Sequence, residues 1–325
     1  MSHVVEFENV TKRFGRTTAL DGVSLAIPPG VVFALLGENG AGKTTAIRLM
    51  LGLTEASAGN VRVLGLDSRR DGLAIRRRVG YLPERPTLYE WMTAAEIGWF
   101  TAGFYGDGFE HQFRTLMAGF RVPLDRKLNQ LSKGMRGKVA LSLAMSHQPE
   151  LLVLDEPTSG LDTMVRREFL ESMVDIAAEG RTVLLSSHQI GEVERVADVV
   201  AILHAGRLLV VERLDHLKQT TRQLTITVAE HTAPLPPMHG KTIHTRRRGR
   251  QWEVLVRGLD ETALERLRFA ESIVAIESRT PSLEEIFVGY MAPSSMSAPL
   301  ASSATTNLVE TGADIKDTGG CVNEE

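Results

Sequence analysis

The residues at 151–156 combine an apolar run with two adjacent carboxylates. The run 151–154 reads Leu-Leu-Val-Leu and is typical of a strand that is buried on both faces. It ends in Asp155 and Glu156. Two carboxylates at the end of a buried strand are costly unless they hold a metal ion, take part in proton transfer, or both. The pattern therefore predicts half of a nucleotide site and calls for a phosphate-binding segment elsewhere in the chain.

A glycine-rich segment at 37–44 supplies that second half. It matches G-x-x-x-x-G-K-[ST] and lies between a strand pattern at 31–36 and a helix pattern at 45–51. The glycines allow backbone N–H groups to surround phosphates, and the helix N-terminus adds partial positive charge. Lys43 is predicted to contact the β and γ phosphates, and Thr44 to contact Mg²⁺. The predicted nucleotide-binding residues here are Gly37, Asn39, Gly40, Ala41, Gly42, Lys43, Thr44 and Thr45.

Composition narrows the class of protein. The 325 residues favour about two domains, and a net charge of −3 gives no general case for nucleic-acid binding. No apolar run approaches the roughly 18 residues that a membrane span needs. The first residues lack an apolar signal region, and Cys321 is the single cysteine. A cytoplasmic protein is expected.

The order of predicted elements indicates an α/β nucleotide-binding domain at 1–220. Alternating residues near the N-terminus predict an antiparallel β subdomain, and the later apolar runs predict a mostly parallel sheet. Helical periodicity predicts an insertion at about 87–148. Residues 221–291 are interpreted as a small α+β appendage. The polar, acidic residues 292–325 are predicted to be a disordered tail.

Five elements in one order give the chain its resemblance to a known family. They are the glycine-rich segment, Glu84 after a Gly-Tyr-Leu-Pro run, the sequence Leu-Ser-Lys-Gly-Met at 131–135, the Asp155–Glu156 pair, and His188. Together they resemble an ATP-binding cassette (ABC) transporter ATPase over residues 3 to about 215. Lys133 and Met135 are similar to the branch that serves drug, sodium or lipid exporters of bacteria and archaea. The segment 281–287 is similar to the C-terminal extension of that branch.

The resemblance implies a P-loop NTPase fold, ATP and Mg²⁺ as ligands, and hydrolytic roles for three side chains. Asp155 would hold Mg²⁺ directly or through water, and Glu156 would polarise the attacking water. His188, at the end of another apolar strand, would contact the γ phosphate and position Glu156. The alternatives are a supporting structural carboxylate at Glu156 and a structural histidine at 188.

The resemblance also implies a dimer. Ser132 and Gly134, before a helix expected at 136–146, would bind the γ phosphate held by an opposite subunit, and Asp162 would lie at the same interface. Two chains, in the simplest case identical, would then enclose two ATP molecules head to tail. An ordinary capped helix is the alternative for Ser132.

The family resemblance also implies roles for Phe14 and Glu84. Phe14 would stack on adenine, although a phenylalanine near a strand end is also typical of a core. Glu84 stands where the family usually has glutamine. It would contact Mg²⁺ and water and take part in catalysis, with an extra negative charge beside Asp155 and Glu156.

The aromatic-rich window 91–105 predicts either the core of the helical insertion or a groove for a membrane permease subunit. With that permease, the chain would lie on the inner face of the cell membrane and drive export, with no nucleic acid expected as a partner. The competing function is a soluble ABC ATPase that acts on ribosomes or DNA. The arginine run at 246–250 predicts a solvated hairpin tip, with contact to anionic lipid as the alternative.

Overall fold

The computed structural model describes residues 3–159, 161–270 and 272–292. Within these residues the strands, in chain order, are β1 (Val5–Phe14), β2 (Thr17–Ile27), β3 (Val32–Leu36), β4 (Ala58–Val63), β5 (Leu66–Asp67), β6 (Val79–Leu82), β7 (Leu151–Asp155), β8 (Thr182–Ser187), β9 (Val199–His204), β10 (Arg207–Arg213), β11 (Thr221–Val228), β12 (Lys241–Arg248), β13 (Gln251–Arg257) and β14 (Ile273–Arg279). The helices are α1 (Lys43–Met50), α2 (Gly72–Arg78), α3 (Ala94–Ala102), α4 (Phe109–Gly119), α5 (Lys133–Met145), α6 (Thr163–Ala178), α7 (Ile190–Val193), α8 (Leu214–Thr220), α9 (Glu261–Arg268) and α10 (Leu283–Met291).

The central sheet has six strands in the order β10-β9-β3-β8-β7-β6. Its strand pairs are parallel, except that β10 runs antiparallel to β9. The register pairs Leu36 with Ser187 and Asp155 with Ser186. The carboxyl ends of β3, β8 and β7 therefore meet at one edge, where an open parallel sheet places its ligand contacts.

Both faces of this sheet are buried, which explains its continuous apolar sequences. Alternate residues such as Phe33 and Leu35 of β3 join one apolar cluster with α1 and the N-terminal strands. Their neighbours, such as Ala34 and Leu36, join a second cluster with α5 and α6. Every residue of β3 and β7 is consequently buried. The positions of the strand ends are fixed by packing on both sides.

A four-stranded antiparallel sheet (β2-β1-β4-β5) forms the predicted β subdomain, and its strands pack into the same core as α1. The predicted helical insertion lies between β6 and β7. Its helices α3, α4 and α5 surround their own apolar cluster, with Phe113 and Met117 at its centre. A capping box of Thr93 and Glu96 starts α3. The sequence predicts an α/β fold with a mostly parallel sheet, an antiparallel β subdomain and a helical insertion. The structure contains all three, and the predicted fold class is confirmed.

The C-terminal region contains a second antiparallel sheet, β12-β13-β11-β14, which with α9 encloses a separate apolar cluster. The final helix α10 does not join that cluster. Leu283, Ile286 and Phe287 instead belong to the core formed with α5 and α6. The predicted arginine hairpin is present as β12 and β13, and Arg247 lies over the ring of Trp252. Residues 293–325, the predicted tail, lie outside the described residues.

A membrane span would require a long apolar helix, and the helices of the described residues include none of that length and hydropathy.

Candidate nucleotide site

The glycine-rich segment forms a tight loop between β3 and α1. Gly42 has φ 113°, a left-handed conformation that side chains avoid. A Cβ atom at Gly42 would lie 2.5 Å from the carbonyl oxygen of Ala19. The N–H of Ala41 donates to the carbonyl of Glu38 at 3.1 Å and closes the loop. This position therefore has to be glycine for two independent reasons.

The first turn of α1 is open to an anion. No side chain caps this helix, and its first turn contains no acidic residue. The N–H groups of a first helical turn lack intrahelical partners and carry partial positive charge. These groups, the glycine backbone and Lys43 are the donors that a triphosphate requires. The chemistry of this loop therefore fits ATP.

Lys43 is buried, with 6% of its side chain exposed. Its Nζ donates to the carbonyl oxygen of Gly37 at 2.6 Å and lies 3.1 Å from Oε1 of Glu156. The lysine thus links the loop to the carboxylate at the end of β7. A buried ammonium needs such a partner, because burial without one is strongly unfavourable.

Asp155 ends β7 beside the loop. The hydroxyl of Thr44 donates to its Oδ2 at 2.8 Å, and the hydroxyl of Ser186 donates to Oδ1. Burial raises the pKa of Tyr81 to about 12, and the negative charge of Asp155 acts in the same direction. The adjacent oxygens of Thr44 and Asp155 are hard ligands of the kind that Mg²⁺ prefers.

Glu156 has a left-handed backbone, with φ 50°. This conformation is uncommon outside glycine and is often retained at functional sites. Its N–H donates to the carbonyl of Ser186 at 3.1 Å, which secures the turn. Its Oε2 lies 2.7 Å from Nδ1 of His188. The carboxylate therefore contacts Lys43 through one oxygen and His188 through the other, while the His188 side chain remains 43% exposed.

The helix that follows Ser132 begins three residues earlier than the sequence analysis expected. α5 starts at Lys133, and Ser132 is its N-cap, accepting a hydrogen bond from the Met135 N–H at 3.2 Å. A Cβ at Gly134 would lie 3.1 Å from a methyl group of Val165, so glycine permits close packing of α5 on α6. Ser132 is exposed, and its hydroxyl proton remains available to an external acceptor.

Asp162 is the N-cap of α6. Its Oδ1 accepts hydrogen bonds from the N–H groups of Met164 and Val165 at 3.1 and 3.0 Å. The side chain is thus already engaged within its own chain, a role that the family resemblance did not imply.

Phe14 and Glu84 are the two remaining predicted site residues. Phe14 is 50% exposed at the end of β1, and Lys12 Nζ lies 4.7 Å from its ring centre, so it is not a core residue. Glu84 is on the loop after β6, half exposed, and its Oε1 lies 4.0 Å from Nε of Arg85. It lines a cavity of about 370 Å³ together with Lys133, Arg136 and Ser159.

Two features near the carboxylates were missed by the sequence analysis. Ser186 contacts both Asp155 and the backbone of Glu156, although the sequence shows it only as one of two serines before His188. Arg166 on α6 joins the carbonyl oxygen of Leu161 to the carboxylate of Glu192. Neither has a local sequence signal, because the Ser186–Asp155 and Arg166–Glu192 contacts join residues 31 and 26 positions apart in the chain.

The helical insertion carries an exposed aromatic surface, which we define as Tyr89, Trp91, Phe100 and Phe104. Their exposed fractions are 51%, 64%, 38% and 69%, and neighbouring rings contact one another. Met92 is buried in the core of the insertion, and Tyr105 stacks between Phe109 and His147. Met92 and Tyr105 thus belong to the core of the insertion, whereas the exposed rings, with Trp99 at 66% exposure, do not, and the permease groove stays a prediction for them.

Comparisons with known proteins identify relatives of this chain. The profile of the ABC transporter family matches residues 20–159. The chain is 33% identical over 230 residues to a bacitracin transport ATP-binding protein of Enterococcus faecalis, covering 69% of this chain and 74% of that protein. It is 31% identical over 310 residues to a daunorubicin resistance ATP-binding protein of Streptomyces coeruleorubidus, covering 87% and 94%. A solved ATP-binding subunit of an ABC transporter superposes with TM-score 0.62 at 32% identity, covering 66% of this chain and 92% of that one.

Proposed function

Since this chain belongs to the ABC transporter family and is an ATP-hydrolysing subunit, we propose that two copies enclose two ATP molecules and drive export through a separate membrane permease. The observation that carries the proposal is the convergence of Lys43, Glu156 and His188 on one sheet edge, beside the Thr44–Asp155 pair. Phosphate contacts, oxygen ligands for a cation and a carboxylate base lie within one site.

ATP binding is assigned to the loop between β3 and α1. Backbone groups from Gly37 to Thr45, including Asn39, Gly40 and Ala41, would surround the phosphates, and Lys43 would exchange its contact with Glu156 for the β and γ phosphates. Phe14, exposed at the end of β1, would stack on adenine. Thr44 and Asp155 would hold Mg²⁺, which withdraws negative charge from the phosphates when bound.

Hydrolysis is assigned to Glu156. Once Lys43 has moved to the phosphates, the carboxylate keeps His188 as its neighbour and is free to accept a proton from water. His188, 43% exposed, would reach the γ phosphate while its Nδ1 holds Glu156. We propose that Glu84 joins Mg²⁺ and the attacking water only after its exposed loop has moved on closure.

The second half of each site is assigned to the other subunit. Ser132 and the first turn of α5, which includes Gly134, present a hydroxyl and backbone N–H groups at an exposed helix N-terminus. Such a terminus favours an anion, and we propose that it receives the γ phosphate of the partner's ATP. Asp162 would support this interface by fixing the start of α6 beside the Val165–Gly134 contact.

A mixture of two inactive variants tests the shared site. Ser132→Asp keeps a good N-cap residue but places a negative charge where the partner's phosphate would bind. Lys43→Met disables the chain's own loop. Each variant alone should hydrolyse ATP at background rates, whereas an equimolar mixture should regain about a quarter of wild-type turnover, because half of the dimers are mixed and each has one intact site. A mixture no more active than its separate components would contradict the head-to-tail arrangement.

The permease partner is assigned to the exposed aromatic surface. Exposed aromatic rings that contact one another are typical of protein interfaces, and they lie on the insertion that follows the Glu84 loop. Closure of the two subunits would be passed to the permease through this insertion. The named relatives are transport and resistance ATP-binding proteins, which favours a transporter over a soluble ATPase acting on ribosomes or DNA. It also favours export and a position at the inner face of the membrane.

Substitution of the aromatic surface should separate transport from hydrolysis. The double variant Trp91→Ala, Phe104→Ala should keep ATP turnover of the purified chain within about twofold, because neither residue contacts the nucleotide site. Association with membranes of the native cell should weaken about 100-fold or more, since two aromatic interface anchors of about 2 kcal/mol each together correspond to roughly 1000-fold in affinity. The control is Phe269→Ala, an 86% exposed aromatic residue in the C-terminal region. Equal membrane fractions for the variant and the control would refute the assignment.

A further inference from the structure

We propose that Arg166 is a positioning residue for hydrolysis, which ties the loop after Glu156 to the segment after His188. This inference rests on the proposed function, because it concerns the geometry of the same site. Arg166 lies in the first turns of α6 and does not contact Glu156 or His188 itself. It acts on the two segments that carry them.

The guanidinium makes one contact to each segment. Its Nη2 donates to the carbonyl oxygen of Leu161 at 2.9 Å, and its Nη1 donates to Oε1 of Glu192 at 2.6 Å. Leu161 is five residues after Glu156, and Glu192 is four residues after His188. A planar guanidinium can hold two acceptors in a fixed relation, which the single ammonium of lysine cannot do.

The loop after Glu156 is closed by hydrogen bonds. The Ser159 N–H donates to the Glu156 carbonyl at 3.1 Å, and the Leu161 N–H donates to the Thr158 carbonyl at 3.1 Å. These two hydrogen bonds therefore connect Glu156 to the residue whose carbonyl Arg166 holds. A shift of that carbonyl would be transmitted to the carboxylate.

The segment after His188 is closed in the same way. The Gln189 N–H donates to the Ser187 hydroxyl at 2.9 Å, and the Glu192 N–H donates to the Gln189 carbonyl at 3.2 Å. With the 2.7 Å contact between His188 and Glu156, these bonds complete a ring that passes through Arg166. Removal of Arg166 opens the ring on the side away from the phosphates.

Stabilisation of the fold does not by itself account for the Arg166–Glu192 ion pair. The two side chains are 28% and 20% exposed, and within the described ranges Nε of Arg166 and Oε2 of Glu192 are buried without a hydrogen-bond partner. Buried polar atoms without partners cost free energy, and a partly buried ion pair is weak evidence for stability. Its place between two catalytic segments gives it a positioning role.

The neighbouring pair Arg167–Glu171 is a matched control. It is also an arginine–glutamate pair on α6, at 2.7 Å, but its side chains are 69% and 60% exposed and it joins residues of one helix. The experiment compares Arg166→Ala and Arg166→Lys with Arg167→Ala and Arg167→Lys in the full chain. ATP turnover, KM, affinity for a fluorescent ATP analogue and thermal unfolding are measured.

Arg166→Ala should lower kcat about tenfold or more per nucleotide-binding chain, with KM and analogue affinity within about twofold, because misplacement of reacting groups affects turnover rather than binding. Arg166→Lys should recover part of the loss, and both Arg167 variants should match wild type. If Arg166→Ala does not fold, a lower kcat for Arg166→Lys than for Arg167→Lys carries the same conclusion. Equal kcat for both pairs, or a loss confined to unfolding temperature, would overturn the inference while leaving an active wild type and the proposed function intact. An inactive wild type would overturn both.

Discussion

Replacement of Glu156 by glutamine should lower ATP turnover about 100-fold or more while ATP still binds. A positioned general base contributes roughly 10²–10⁴ to rate, and an amide cannot accept the proton of the attacking water. Glutamine has nearly the same volume as glutamate, so the buried site next to His188 should keep its packing. Turnover is measured by phosphate release, and binding by titration with a fluorescent ATP analogue.

The same substitution has a second expected effect without nucleotide. Lys43 would lose its charged partner at 3.1 Å and keep only neutral acceptors such as the Gly37 carbonyl. Without nucleotide, the variant should therefore unfold at a lower temperature than wild type. ATP should raise the unfolding temperature of the variant more than it raises that of wild type.

The control for Glu156→Gln is Glu150→Gln, at the opposite end of β7, where Glu150 forms an exposed pair with Arg78. That change should leave turnover within about twofold. If Glu156→Gln kept wild-type turnover, Glu156 would be a structural carboxylate, and the base would have to be sought elsewhere in the site.

Replacement of Lys43 by methionine should weaken ATP binding about 100-fold, because a charged contact to phosphate is lost in a buried loop. The stabilisation of the folded chain by millimolar ATP should largely disappear with it. Methionine retains much of the side-chain volume at a position only 6% exposed. A loss of ATP affinity would therefore come from the missing charge and not from a cavity left in the loop.

Lys218→Met is the matched control for Lys43→Met. Lys218 pairs with Glu194 at 2.6 Å, away from the glycine-rich loop, and its loss should leave ATP affinity unchanged. Calorimetric titration and thermal unfolding with and without ATP provide the measurements. Unchanged affinity in Lys43→Met would mean that the backbone of the loop alone holds the phosphates.

The elements that carry the site could be predicted because their signals are local. The Leu151–Leu154 run and the Gly37–Thr44 segment each contain their own evidence for a buried strand or a phosphate loop. Thr44 and Asp155 are each predicted to hold Mg²⁺, and the structure joins them by a 2.8 Å hydrogen bond. The family resemblance rested on the same segments and is confirmed.

The features that could not be predicted depend on contacts between distant segments. Ser186 reaches Asp155 from the neighbouring strand, and Arg166 on α6 reaches Glu192 on α7. The start of α5 was misplaced because Ser132 caps the helix directly, so Lys133 and Gly134 are helical rather than part of a loop before it. The location of Glu84 depends on the course of an exposed loop, for which periodicity gives no signal.

The packing of α10 has a consequence for the order in which the molecule can form. Leu283, Ile286 and Phe287 complete the core beneath the nucleotide fold, although some sixty residues of another sheet precede them in the chain. During synthesis, we therefore expect the core that supports the ATP site to stay incomplete until α10 is available. Completion of the ATPase core therefore has to wait for α10, even though the phosphate loop is made among the first segments.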